Sequence, residues 1–195
     1  MTIQDFMFHM PAQHVRLSAL VGPRSAPLFM FGLLTLACAL ASFAFACATP
    51  FVAFAVIAAQ TLPLTSALLV VAAAWVVNQA IGFGALHYPL HANTILWGVM
   101  IGAAALAGTV AAAAALRLAE RAKSAIALGL GLVAAYATYQ LVLFAATPFL
   151  GGEGAFTVAI IGRIGELNIL WLIGLVASCE IVRLLDSRQS HRTAS

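Results

Sequence analysis

The sequence predicts an all-α fold, an integral membrane bundle of six transmembrane helices with both termini cytoplasmic. Three observations carry this expectation: the composition, the spacing of the apolar runs and the placement of the cations. Of 195 residues, 64% are hydrophobic and only 8% are charged, whereas a soluble domain carries about 25% charged residues. So little polar surface cannot cover so apolar an interior in water, but acyl chains can. The formal charge of +3 rests on few residues, so cationic side chains read as topology signals and no nucleic-acid partner is expected.

The apolar runs set the elements in order. A spanning helix needs roughly 20 apolar residues. The first run covers 27–48. The stretch 49–83 is longer than one helix requires and Pro63 interrupts it, which predicts a short helix over 50–62 and a second over 64–81. Three further helices follow over 93–116, 124–147 and 156–182. Residues 26–184 then form the transmembrane domain. Residues 1–25 form a cytoplasmic or interfacial N-terminal segment, in which Phe6, Met7, Phe8 and Met10 lie beside His9 and His14. Residues 185–195 form a cytoplasmic tail. Ala44-Phe45-Ala46 has the small-residue pattern of a signal cleavage site, but the run before it is too long for a signal peptide, so the first helix is expected to stay.

Cations orient the bundle. Arg16 and Arg24 precede the first helix, Arg117, Arg121 and Lys123 fill the link between the fourth and fifth, and Arg183, Arg188 and Arg192 follow the sixth. The excess of Lys and Arg in cytoplasmic loops places all three groups on one side. Only an even number of crossings fits between the first helix and the fourth, in agreement with the break at Pro63. Cys38, Cys47 and Cys179 lie in apolar runs without metal-ligand spacing and read as small core hydrophobes.

In this topology the polar residues concentrate in the outer half. Asn78 and Gln79 end the third helix. The outer loop that follows carries Phe83, His87, Tyr88, His91 and Asn93, with Trp97 opening the fourth helix. Tyr136, Tyr139 and Gln140 share a face of the fifth helix. Arg163, Glu166 and Asn168 fall in the outer half of the sixth. Ionisable groups at membrane depth are costly and mark functional sites or structural pairs. Arg163 and Glu166 are three residues apart on one face, so the two can pair, and the alternative reading is a locking ion pair without further function. The tyrosines and Gln140 read equally as helix–helix hydrogen bonding. Polar groups from four helices at a common depth suggest a cavity open to the outside. Its candidate ligand-binding residues are Asn78, Gln79, Phe83, His87, Tyr88, His91, Asn93, Trp97, Tyr136, Tyr139, Arg163 and Glu166. His87 and His91 would align on a helix, but Pro89 lies between them, so they read as loop residues and a regular two-histidine metal site is not expected.

Several chemistries are missing. The sequence has no phosphate-binding loop of the ATPase type, no serine-hydrolase or zinc-protease motif and no Cys/His zinc cluster. Histidines are absent from the predicted spans, which disfavours a bis-histidine haem site. No intrinsic cofactor is expected, and a catalytic role is disfavoured.

Six helices in a chain of this length, with inside termini and a first helix striped by Ala37, Ala41, Ala44 and Ala48, resemble the substrate-binding S components of energy-coupling-factor vitamin transporters. The run Trp75-Val76-Val77-Asn78-Gln79-Ala80-Ile81-Gly82-Phe83, with Tyr88-Pro89, Thr94 and Trp97-Gly98, resembles the same region of the small bacterial cobalamin transporters related to those components. The resemblance implies a multi-pass protein of the bacterial inner membrane that takes up a vitamin-type small molecule, with cobalamin as the transported ligand. It also implies, as a partner beyond the lipid bilayer, an energy-coupling transmembrane subunit with its ATPases. Some members of that group present a cysteine to the corrinoid cobalt near this loop. Here no cysteine lies between Cys47 and Cys179, and His87 or His91 stands as the alternative axial ligand. The rival expectations are a multi-pass enzyme using Arg163, Glu166 or a histidine, and a structural subunit of a membrane complex. A binding protein would line an accessible cavity with Asn78, Tyr88, Tyr139 and Arg163, whereas a structural subunit would leave these groups paired and closed.

Overall fold

The structure is a computed structural model describing residues 26–45 and 49–193. The N-terminal segment 1–25, Cys47, Arg16 and Arg24 lie outside the described residues. Among the described residues six α-helices follow one another: α1 (Ala26–Phe45), α2 (Phe51–Thr61), α3 (Leu64–Ala80), α4 (Ala92–Leu118), α5 (Ser124–Leu150) and α6 (Val158–Thr193). A wide turn over Ile81–Ala85 extends α3, and a short 3-10 turn over Glu153–Phe156 leads into α6. The described residues form no β-strand.

Among the described residues, five segments are long and apolar enough to cross a membrane: Pro27–Ala44, Leu64–Ala85, Ala92–Leu118, Ser124–Leu150 and Val158–Val182. The exception is α2. Its 11 residues extend about 16 Å at the α-helical rise, and a hydrocarbon core is about 30 Å thick. Pro63 sets its lower limit: a proline cannot continue the helix, and Leu62 adopts an extended conformation before it. Every residue from Phe51 to Ala58 is buried, because α2 runs through the middle of the bundle and packs against α3, α4, α5 and α6.

Side-chain contacts fix the directions. The Cys38 thiol donates to the Ala74 carbonyl at 3.1 Å, and the Asn78 amide donates to Ser42 Oγ at 2.9 Å. Residue numbers rise together along the two helices, so α1 and α3 are parallel and α2 is the return stroke between them. By contrast, Trp75 of α3 lies over Gly102 while Gln79 lies over Gly98, which makes α3 and α4 antiparallel. The close approach depends on Gly102, where a Cβ would come within 2.7 Å of the Trp75 ring. That ring is then held by its own indole N–H, which donates to the Gly98 carbonyl at 2.8 Å. The helices α4 and α5 form a long antiparallel hairpin, the most extensive helix pairing in the bundle. Asn93 Nδ2 closes its far tip by donating to the Leu150 carbonyl at 3.1 Å.

Two boundaries differ from those expected. The helix α5 does not stop at Thr147 but runs through Pro148 to Leu150. Pro148 has no N–H, so the Phe144 carbonyl loses its usual partner. The Thr147 hydroxyl donates to that carbonyl at 2.8 Å instead, which is how membrane-buried helices absorb a proline. At the other end of the chain, α6 continues past residue 182 to Thr193. No Gly or Pro follows Val182, so nothing breaks the helix where its apolar stretch ends.

Candidate functional site

The end of the bundle that carries the loop between α3 and α4 gathers most of the predicted residues, in two layers. The inner layer is a hydrogen-bonded relay. Asn78 Nδ2 donates to both Ser42 Oγ and Thr49 Oγ1 at 2.9 Å, and Gln79 Nε2 donates to Asn78 Oδ1 at 3.0 Å. The Cys38 Sγ lies 3.9 Å from Ser42 Oγ. Three helix ends meet here. Polar side chains from these ends satisfy one another, the condition for burying polar groups at low cost.

The outer layer is the loop itself. Its first turn is wide because the Leu86 amide reaches back five residues to the Ile81 carbonyl at 2.9 Å. The Tyr88 amide then reaches the Gly82 carbonyl at 3.0 Å. The Tyr88 ring fills the space over Gly82, where a Cβ would meet it at 2.8 Å, and stands edge-on to Phe83 with centroids 6.3 Å apart. These contacts hold His87 at φ 55°, the left-handed region that non-glycine residues seldom occupy. Its Nδ1–H donates to the Ala85 carbonyl at 3.0 Å. The carbonyl can only accept, so in the neutral ring this contact selects the Nδ1–H tautomer, with the lone pair on Nε2 of an exposed side chain. His91 is also exposed, at the start of α4, and its backbone carbonyl accepts from Ile95 N at 3.1 Å. No group of three or more His, Cys, Asp or Glu with metal-binding geometry occurs among the described residues.

The remaining candidates fall into separate groups. Asn93 ties α4 to α5, and Trp97 packs its ring against Gly152 at the α5–α6 turn. Gln140 Nε2 donates to the Tyr136 hydroxyl at 2.7 Å, and that hydroxyl donates to the Ile161 carbonyl of α6. Tyr139 is buried in the core. On α6, Asn168 Oδ1 accepts from the Ala53 amide at 3.0 Å, and its Nδ2 donates to the Ile164 carbonyl at 2.9 Å. A helix turns about 100° per residue, so Arg163 and Glu166 point roughly opposite Asn168, away from the core. Both are exposed, and among the described residues no ion pair joins them. They do not converge with Asn78 or the loop.

The structure thus brings Phe83, His87 and Tyr88 together, joins Asn78 to Gln79, joins Tyr136 to Gln140, and leaves Arg163 and Glu166 apart from all of them. It adds Ser42, Thr49, Trp75 and Asn168, which sequence reasoning did not single out as site residues. Ser42 and Thr49 carried one usable signal, as the hydroxyls at the end of the first apolar run on the approach to Pro50.

No family model, no curated protein and no solved structure matches this chain. The fold and its apolar surface define a class: an all-helical chain with the character of a multi-pass membrane protein.

Proposed function

We propose that this chain is a multi-pass protein of the bacterial inner membrane that binds a vitamin-type molecule, a corrinoid, at the end carrying the His87 loop. In this reading that end faces outward, and the exposed cluster of Arg117, Arg121 and Lys123 at the opposite end faces the cytoplasm. The observation that carries the proposal is the held imidazole: an exposed His87 whose Nδ1 lies 3.0 Å from the Ala85 carbonyl, a contact that leaves Nε2 of the ring unused. A histidine whose second nitrogen is tied to a carbonyl is the usual form of a metal-ligating imidazole, and neutral imidazole suits a transition metal such as cobalt. The flanking Phe83 and Tyr88 offer aromatic walls, and His91, Asn93 and Trp97 lie on the chain that continues from the loop. Arg163 and Glu166 drop out of the ligand set because they face away from it. An energy-coupling transmembrane subunit with its own ATPases would supply the driving force, since the chain carries no ATPase motif.

Purification of the full chain, followed by an absorption spectrum and mass spectrometry of co-purified small molecules, tests the reading. A bound corrinoid, with a visible spectrum that shifts in the His87→Ala variant, is the expected result. Folded wild-type protein that binds no corrinoid overturns it.

A second reading has its own observation. Asn78, Gln79, Tyr136 and Asn168 are all hydrogen-bonded within the bundle, as a structural subunit of a membrane complex would have them. Lack of any ligand together with stable co-purification of another membrane protein favours that role.

A further inference from the structure

Arg163 and Glu166 remain without a role, and their depth makes this informative. Tyr136 is the thirteenth of the 27 residues of α5. Its hydroxyl bonds to the Ile161 carbonyl, and its ring lies 3.6 Å from where a Cβ on Gly165 would sit. Arg163 lies between those two residues and Glu166 follows directly, and the two sit about 8 and 12 Å inside the start of the apolar span Val158–Val182. Charges at such depth face a bundle interior, a water-filled space or a partner group, because lipid does not solvate them. Here both face away from the bundle, on the side of α6 opposite Asn168. Around them the same face exposes Leu170 and Ile173, and Ala159, Gly162, Gly174 and Ala177 are exposed as well. The face is therefore apolar and small-residued, with one cation and one anion in its N-terminal part.

We propose that this face of α6 is the docking surface for a second copy of this chain, with Arg163 of each protomer pairing with Glu166 of the other. The argument for a second copy is charge complementarity. A twofold contact presents the same patch to itself. A patch of one sign would repel its copy, whereas a cation and an anion one turn apart answer each other twice across the axis. With the two α6 helices parallel, the paired residues are offset by about 4.5 Å along the axis, within the reach of an arginine side chain. The small residues let the backbones approach closely enough for that reach, as in other helix contacts within membranes. The proposal is independent of any ligand at the His87 loop.

The test uses the full chain in detergent and in lipid nanodiscs, with mass measured by light scattering. Wild type is expected to run as a dimer. Arg163→Glu alone, or Glu166→Arg alone, brings like charges together across the axis and should weaken dimerisation at least tenfold. The double variant Arg163→Glu/Glu166→Arg should restore it. A second measurement does not depend on charge-altered chains folding. In a background with Cys38, Cys47 and Cys179 replaced by Ala, Leu170→Cys should form a disulfide between two copies in membranes, and Leu69→Cys, exposed on α3, should not. A monomeric wild type, a dimer indifferent to both single charge reversals, or equal crosslinking at the two positions overturns the proposal. Monomer mass with Leu170→Cys crosslinked to a different protein also overturns it, in favour of a heterologous partner.

Discussion

Asn168 Oδ1 caps the buried helix α2 from another helix, accepting from the Ala53 amide at 3.0 Å across 115 residues of sequence. The first amides of any helix have no partner within it. At the start of α2, Pro50 supplies no capping side chain. The Phe51 amide turns back to the Thr49 carbonyl at 2.8 Å, and Asn168 satisfies Ala53.

Replacing Asn168 by Ala removes that acceptor and leaves a buried amide without a partner. Thermal unfolding in detergent should show a loss of about 1–3 kcal/mol, the usual penalty for such a group. Leu at the same position should do no better, although it fills the volume. Full stability of either variant would show that the Ala53 amide finds another acceptor.

The run through Pro148 predicts a coupled pair. Thr147→Val keeps shape but removes the hydroxyl that serves the Phe144 carbonyl, and should cost about 1 kcal/mol. In the Pro148→Ala background the restored amide can serve that carbonyl, so the same Thr147→Val change should cost much less. Equal cost in the two backgrounds, measured as a double-mutant cycle, counts against this account.

His87 separates backbone from side chain. Its left-handed φ suits glycine, so His87→Gly should keep or slightly raise stability. His87→Val, whose branched side chain is unsuited to that region, should lose about 1–2 kcal/mol. For ligand binding the prediction reverses for glycine: His87→Gly should abolish the imidazole contribution to the spectrum of bound corrinoid. A spectrum identical to wild type in His87→Gly would remove His87 as the axial donor.

Topology is open to reporter fusions. A fusion after Arg121 should report as cytoplasmic and an insertion near Leu90 as periplasmic. A cytoplasmic signal at Leu90 would reverse the bundle and remove the outward-facing reading of the loop.

The long helices were legible because apolar length is written locally, and the break at Pro63 was legible for the same reason. The end of α5 is not legible in the same way, because its passage through Pro148 needs the geometry of Thr147 on its own helix. The face shared by Tyr136 and Gln140 followed from spacing and is made in the structure. For Arg163 and Glu166 spacing gave a common face but not its direction, because a helix apolar on all sides carries no sign of which side meets the core. The pairing of Asn78 with Ser42 and Thr49, and of Asn168 with Ala53, joins residues far apart in sequence, so no local pattern announces it.

The capping of α2 also has a temporal side. Asn168 is synthesised 115 residues after Ala53, on the order of ten seconds later at typical ribosomal rates. Until then α2 has its opening turn incomplete and is too short to hold itself across a bilayer. The opening turn of α2 can therefore be completed by Asn168 only once the last helix has been made. Truncations that stop before α6 should be recognised as incomplete and degraded, even though they contain most of the apolar spans.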